Sequence, residues 1–473
     1  MLTLTDAPSR DCSGLERRNF LKAGFLGLGG LTLSAMLRAR AAAADVGNGA
    51  VRDKAVVLLF LGGGASHIET FHPNMEAPAP YRSVTGEVAT TLPGVTIGGT
   101  FPELAKRADK MAFVRSFRHP VADHESAIVH VLNGGTSATG KKDDVGFSMG
   151  SMYAKIRGSN HPKTGLPTCA LLTAPETDRQ YISEKSRVER GSAPGLLGPA
   201  FAPFDPAAGG TALQNMQLHL PADRLSDRRR LQRSLDRMSR SLDASSTMAA
   251  LDTFDQQAVD IVLRGAFSAF DMTREDPALV AKYDTSMFRI GNRKHRPQQM
   301  RDSTLGHQLL LARRLCEAGC GFVTVQSAGW DNHADGNNPN IYDGMNMLGP
   351  PLDKAVSAFL DDVEERGLSD RILLVITGDF GRTPTINKNG GRDHWSNLCT
   401  LAFAGGGLRT GQVVGKSARK NDIPASAPVT TTNLMATIMH TLFDVGTLRV
   451  VRGLPAKLAR LVETAEPIRE LVS

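Results

Sequence analysis

The chain has 473 residues, 41% hydrophobic and 22% charged, with a formal net charge of +7. That length leaves room for a sizeable core in one large α/β domain with insertions, or in two domains. The basic residues are scattered and aromatics make up only 5%, which excludes a dedicated nucleic-acid binder and leaves a modest preference for anionic substrates.

The N-terminus reads Glu16-Arg17-Arg18-Asn19-Phe20-Leu21-Lys22, then 15 uncharged residues from Ala23 to Leu37, then Ala39-Arg40-Ala41. Tandem arginines before a moderately apolar, glycine-containing stretch and an A-x-A exit make a twin-arginine export signal over residues 1–44. The apolar run falls short of the roughly 20 residues a membrane span needs. Residues 45–473 are therefore expected to form the mature domain, handled by the twin-arginine export machinery and delivered to the periplasm or the extracellular space with no stable membrane span. Cys169, Cys316, Cys320 and Cys399 remain in that oxidising setting with their pairing open, and no zinc-binding spacing accompanies them.

Lys54 to Leu61 (KAVVLLFL) is a continuous apolar run of the kind buried in a parallel sheet, and it ends at Gly62-Gly63-Gly64. Met111 to Arg115 reads as a second strand, leading through Asp123-His124-Glu125-Ser126 into an apolar helix. From about 200 to 300 the composition shifts to helix formers and paired charges, including Arg228, Arg229 and Arg230, and reads as a helical insert. Asp302-Ser303 is expected to cap a helix reaching Cys316, and Phe322 to Gln326 is the next strand. Pro351 to Arg366 reads as a helix with Leu352, Val356, Phe359, Leu360 and Val363 on one face, followed by the strand Ile372 to Thr377. A strand TLAFAG and a final helix from Thr432 to Phe443 complete the pattern. Helix and strand alternate, which predicts a doubly wound α/β fold with a mostly parallel sheet flanked by helices.

Acid and histidine residues follow successive strands: Asp331-Asn332-His333 after GFVTVQSAGW, Asp379 after RILLVITG, and Asp393-His394 on a glycine-flanked loop before TLAFAG. In an open α/β sheet the carboxyl ends of the strands are where ligands bind, so these side chains are expected to converge on one metal or substrate. Carboxylate and imidazole donors suit a divalent ion such as zinc, manganese or calcium. Glu69, in the loop after the first strand, is a further candidate ligand. Asp379-Phe380-Gly381 spells the metal-binding triplet of kinases, but none of the other kinase motifs is present. No dinucleotide fingerprint, haem-attachment motif or iron–sulfur spacing supports a redox protein.

Taken together, the twin-arginine leader, LFLGGGASHIETFHP, RSFRHPVADHESAIVHVLNGG, GWDNHADG, ITGDFGRTPTIN and GRDHW resemble the exported "domain of unknown function" family of the alkaline phosphatase and sulfatase superfamily. The resemblance covers nearly the whole chain. It implies that Glu69 takes the role of the first-strand acid, that Asp331, His333, Asp379 and His394 hold the metal, and that Arg382 pairs with an anionic substrate oxygen. The chain departs from the superfamily at the nucleophile. No Cys-x-Pro-x-Arg is present, and the equivalent position falls at His124, with Ser126 two residues later. His124 then reads as a general base or ligand, Ser126 as the candidate nucleophile, and Phe380 stands where a histidine usually follows the aspartate. The implied activity is metal-dependent hydrolysis of phosphate or sulfate esters on a small molecule or glycan. The alternative is a non-catalytic binding or assembly module for surface polymers.

Overall fold

The computed structural model describes residues 48–136, 146–173, 181–198, 201–206, 267–291, 300–451 and 454–472. The export signal and the arginine-rich part of the insert, with Arg228, Arg229 and Arg230, lie outside them.

The strands of the central sheet are β1 (Ala55–Leu61), β2 (Met111–Val114), β3 (Cys169–Leu172), β4 (Phe322–Ser327), β5 (Ile372–Gly378), β6 (Leu401–Gly405) and β7 (Gln412–Val414). They form one seven-stranded sheet in the order β7-β2-β6-β5-β1-β4-β3. Only β6 is reversed in this sheet: it pairs antiparallel with β5 and β2, whereas β1 with β4, β1 with β5, β3 with β4 and β2 with β7 are parallel. The expected doubly wound, mostly parallel α/β architecture is therefore present. β3 and β7 were not legible in the sequence; each is a short edge strand.

All residues of β1 are buried, and their alternation divides the interior into two layers. Val57, Leu59 and Leu61 face one core together with helices α4 (Leu305–Glu317) and α5 (Ile341–Glu365). Val56, Leu58 and Phe60 face the other, covered by α1 (His124–Leu132), α2 (Met149–Arg157) and α6 (Thr431–Leu442). Each buried Val, Leu or Phe side chain contributes about 1.5–3 kcal/mol, so the central strand is fixed from both sides. A further helix, α3 (Ile182–Gly191), lies against α1, where Gly191 leaves no room for a side chain beside Leu132 and Ile128.

Two helix boundaries differ from expectation. α5 begins at Ile341, ten residues before Pro351, because Asn340 caps its start by accepting from the Asp343 N–H; Pro350 and Pro351 lie inside it. Proline at a first turn is the commoner arrangement, which is why the pair reads as a start. α4 has Thr304 at its N-cap, one residue after the expected pair, and Thr304 makes no side-chain cap; the Ser303 hydroxyl accepts from the Leu305 N–H at 3.4 Å and Thr285 Oγ1 from the Gly306 N–H at 3.1 Å. α6 opens on Thr430, which forms a reciprocal capping box with Asn433. Cys169, Cys316, Cys320 and Cys399 are all buried, and none is in a disulfide.

Parallel strands share a carboxyl edge, and the start of reversed β6 lies at that same edge. The segments leaving β1, β4 and β5 and the segment entering β6 therefore meet there. These are the segments that carry Gly62 to Glu69, Asp331 to His333, Asp379 to Arg382 and His394.

Candidate metal centre

His124 is the first residue of α1, directly after the N-cap Asp123, whose carboxylate accepts from the Ser126 N–H. Its approach is fixed by strand-like contacts with the segment before β6: His119 N–H donates to Ser396 O, and Cys399 N–H donates to Phe117 O. These tie the chain before His124 to the chain after His394.

Two histidines present the same face to one aspartate. His124 Nδ1 lies 2.6 Å from Asp379 Oδ2, and a carboxylate can only accept, so Nδ1 carries the hydrogen. His394 Nδ1 lies 3.1 Å from Ala122 O, which fixes its hydrogen in the same way. Both Nε2 atoms are thereby left to face Asp331, at 3.3 Å from Oδ2 for His124 and 3.4 Å from Oδ1 for His394. His124 Nε2 is buried and makes no hydrogen bond among the described residues. One donor atom from each of His124, Asp331 and His394 lies within 4.8 Å of the others. Two imidazole nitrogens and a carboxylate, each imidazole oriented through its other nitrogen, fit a divalent transition-metal ion with an open coordination position.

The electrostatics agree with that arrangement. Burial alone would lower the His124 imidazole, but Asp331 and Asp379 on its two nitrogens outweigh it and raise it to about 9. Burial would raise the Asp331 carboxyl, yet the Arg382 guanidinium and the facing histidines hold it well below the usual carboxylate range. His333 is raised chiefly by its hydrogen bond to Asp331, 3.1 Å away.

Phe380 forms the wall of the site. Its buried ring lies 4.9 Å from the His124 ring and 4.4 Å from the His394 ring, centroid to centroid. The aromatic residue beside Asp379 thus packs against two donors.

The sequence-predicted residues separate into two groups. Asp331, His394 and His124 converge, and His333 flanks them, with Nε2 also 3.5 Å from Asp335 Oδ2. Asp379 is fully buried and serves His124 and the Gly63 N–H, which donates to it at 3.2 Å; it orients a donor. Ser126 is half-buried in the first turn of α1. Glu69 is held elsewhere: its carboxylate accepts from Arg392 Nη2 at 3.0 Å, from Val84 N–H at 3.3 Å and from the Ser66 hydroxyl. Its side chain and that of Arg392 are both fully buried, so it is one half of a structural ion pair.

Arg382 is likewise fully buried and turned inward. Its guanidinium, without solvent exposure, donates to Asp331 Oδ1 at 2.6 Å and to the carbonyls of Gly63, Gly64, Trp330 and Arg392. Three of these five acceptors crowd Nη2, while Nε and Nη1 each have one. It therefore grips the turns after β1 and β4 and fixes the Asp331 carboxylate.

Glu184, on α3, was missed by sequence reasoning, since an acid in an amphipathic helix carries no local signal. It is buried, accepts from Gly329 N–H at 3.0 Å, and is raised to about 8 by burial and by the nearby Asp379 charge.

Fold and site together define a doubly wound α/β protein with a His-Asp-His donor set at the carboxyl edge of its sheet. The chain belongs to the family described as "Protein of unknown function (DUF1501)", whose profile matches residues 53–472. No curated protein matches the sequence. Among solved structures, the lipoteichoic acid synthase LtaP from Listeria monocytogenes is similar at 9% identity over 87% of this chain and 77% of that chain, with a TM-score of 0.33. PsFucS1 sulfatase from Pseudoalteromonas sp. aligns at 12% identity over 82% of this chain and 68% of that chain, with a TM-score of 0.34. Alkaline phosphatase from the Antarctic bacterium TAB5 aligns at 8% identity over 83% of this chain and 98% of that chain, with a TM-score of 0.32.

Proposed function

We propose that this protein is an exported, metal-dependent hydrolase of phosphate or sulfate esters, with His124, Asp331 and His394 as ligands of a divalent ion and His333 beside them. The observation that carries this reading is the convergence of the buried His124 Nε2, 3.3 Å from Asp331 Oδ2, with Asp331 and His394 at the sheet edge where α/β proteins bind ligands. A bound ion would polarise the ester oxygen and offset charge developing on it.

The chain's own residues do the rest. Asp379 and the Ala122 carbonyl hold the two imidazoles in the tautomer that leaves Nε2 free. Arg382 keeps Asp331 ionised and directed at them. Phe380 keeps water from one side of the rings. Ser126, in the first turn of α1, is the candidate nucleophile, and the positive end of that helix favours an anionic ester beside it. An activated water is the alternative nucleophile. The substrate is a small-molecule or glycan ester met after twin-arginine export to the periplasm or beyond. No helix among the described residues is long and apolar enough to cross a membrane.

One observation favours the second reading, a non-catalytic binding module: the guanidinium of Arg382 is fully buried and turned to Asp331 and to the carbonyls of Gly63, Gly64, Trp330 and Arg392. The two are separated by assaying phosphate and sulfate monoesters with zinc-, manganese- and calcium-loaded protein beside the His124→Ala and Ser126→Ala variants. Hydrolysis lost in His124→Ala supports the enzyme. Metal binding without turnover of any ester supports the module.

A further inference from the structure

The turns that follow β1 and β4 are unusually tight. Gly62 N–H donates to Ser327 O at 2.7 Å, and Trp330 N–H donates back to Gly62 O at 3.0 Å, so the two turns are stitched to each other. Gly63 and Gly329 both have positive φ, 101° and 97°, a conformation that favours glycine. A Cβ on Gly63 would sit 2.6 Å from the Asp331 nitrogen. The Gly63 N–H in turn binds Asp379. The two aspartates of the site thus depend on two glycine turns with little intrinsic stiffness.

Arg382 grips these turns from one side through the carbonyls of Gly63, Gly64 and Trp330. Glu184 meets them from α3. Its Oε2 accepts from Gly329 N–H at 3.0 Å. A Cβ on Gly62 would lie 3.2 Å from Oε2, and one on Gly63 would lie 3.1 Å from Oε1, so the carboxyl group rests directly on the loop. α3 itself is anchored to the helix that carries His124, through the close approach of Gly191 and through Arg187 and Arg190, which both pair with Glu125.

We propose that Glu184 is a positioning residue of the metal centre, which clamps the Gly329 N–H and fills the space behind Gly62 and Gly63 so that Asp331 and Asp379 are presented in one fixed geometry. This rests on the reading of His124, Asp331 and His394 as metal ligands. Glu184 acts through hydrogen-bond acceptance and bulk, which a glutamine retains and an alanine does not.

The test compares wild type, Glu184→Gln and Glu184→Ala as full mature chains. Zinc binding is followed by titration calorimetry, and amide hydrogen exchange at Gly63 and Gly329 is followed in the metal-free proteins. Supporting residues behind metal ligands change affinity by about 10–100-fold, so Glu184→Ala is expected to weaken zinc binding by that factor and to speed exchange at both glycines. Glu184→Gln is expected to stay within about threefold of wild type and to keep its protection. Unchanged zinc affinity in Glu184→Ala, or equal losses in both variants, would overturn the proposal. If wild type itself binds no zinc, the metal reading fails separately, and the exchange data still decide the clamp: protection lost only in Glu184→Ala sustains it, and protection kept in both variants overturns it.

Discussion

His124 Nδ1 lies 2.6 Å from Asp379 Oδ2, and this contact determines what the other nitrogen of the ring can do. A carboxylate on Nδ1 fixes the hydrogen there and raises the basicity of Nε2, the atom that faces Asp331 and His394. Asp379 therefore supports the donor set through a histidine. Asp379→Asn keeps the size of the side chain but removes the charge and permits the wrong tautomer. We expect it to weaken zinc binding by about 10–100-fold while leaving the fold intact, measured by calorimetry alongside circular dichroism.

The same contact sets a pH dependence. His124 in the metal-free protein is raised to about 9, so at neutral pH it is an imidazolium and must release a proton before Nε2 can bind a cation. Metal affinity should rise with pH up to about 9 and fall by about tenfold for each unit below it, for one proton released. Calorimetry in buffers of different ionisation enthalpy should show that proton leaving at pH 7; an affinity flat between pH 6 and 9 would contradict it.

Glu69 and Arg392 are paired with no solvent exposure on either side chain. Removing one partner leaves a buried charge uncompensated, at a cost of about 3–5 kcal/mol. Arg392→Met is therefore expected to lower the denaturation midpoint sharply. Glu69→Gln should destabilise in the same direction, and whichever variant still folds should keep its zinc affinity, because neither residue is a ligand. Loss of metal with unchanged stability would show that Glu69 belongs to the centre after all.

The Gly63 position admits no side chain. Its φ of 101° and the 2.6 Å approach of a Cβ to the Asp331 nitrogen both oppose alanine. Strain of this kind costs on the order of 1–3 kcal/mol. Because the Gly63 N–H holds Asp379 and the turn abuts Asp331, Gly63→Ala should reduce metal affinity as well as thermal stability, whereas alanine at half-buried Gly86, also at positive φ but with open space around it, should affect stability alone.

Much of this arrangement was legible before any coordinates. The apolar run before Gly62 marks the central strand because a fully buried strand needs no alternation, and the acids and histidines after three such runs mark the site because parallel strands share a carboxyl edge. Which of those residues are ligands was not legible. Glu69 meets its partner 323 residues away, and nothing local in either segment records the pair. Arg382 reads as a substrate-facing cation until the carbonyls of Gly63, Gly64 and Trp330 are seen to surround it. Pro350-Pro351 disguised the start of α5, since a proline pair commonly opens a helix and the true cap, Asn340, lies ten residues earlier.

The most direct measurement is elemental analysis of the mature protein purified from an exporting host, beside His124→Ala and His394→Ala. A tightly held divalent ion in wild type, lost or much reduced in both variants, is the expected result. An ion retained in both variants, or none in wild type even after incubation with zinc, manganese and calcium, would contradict a metal centre at His124, Asp331 and His394.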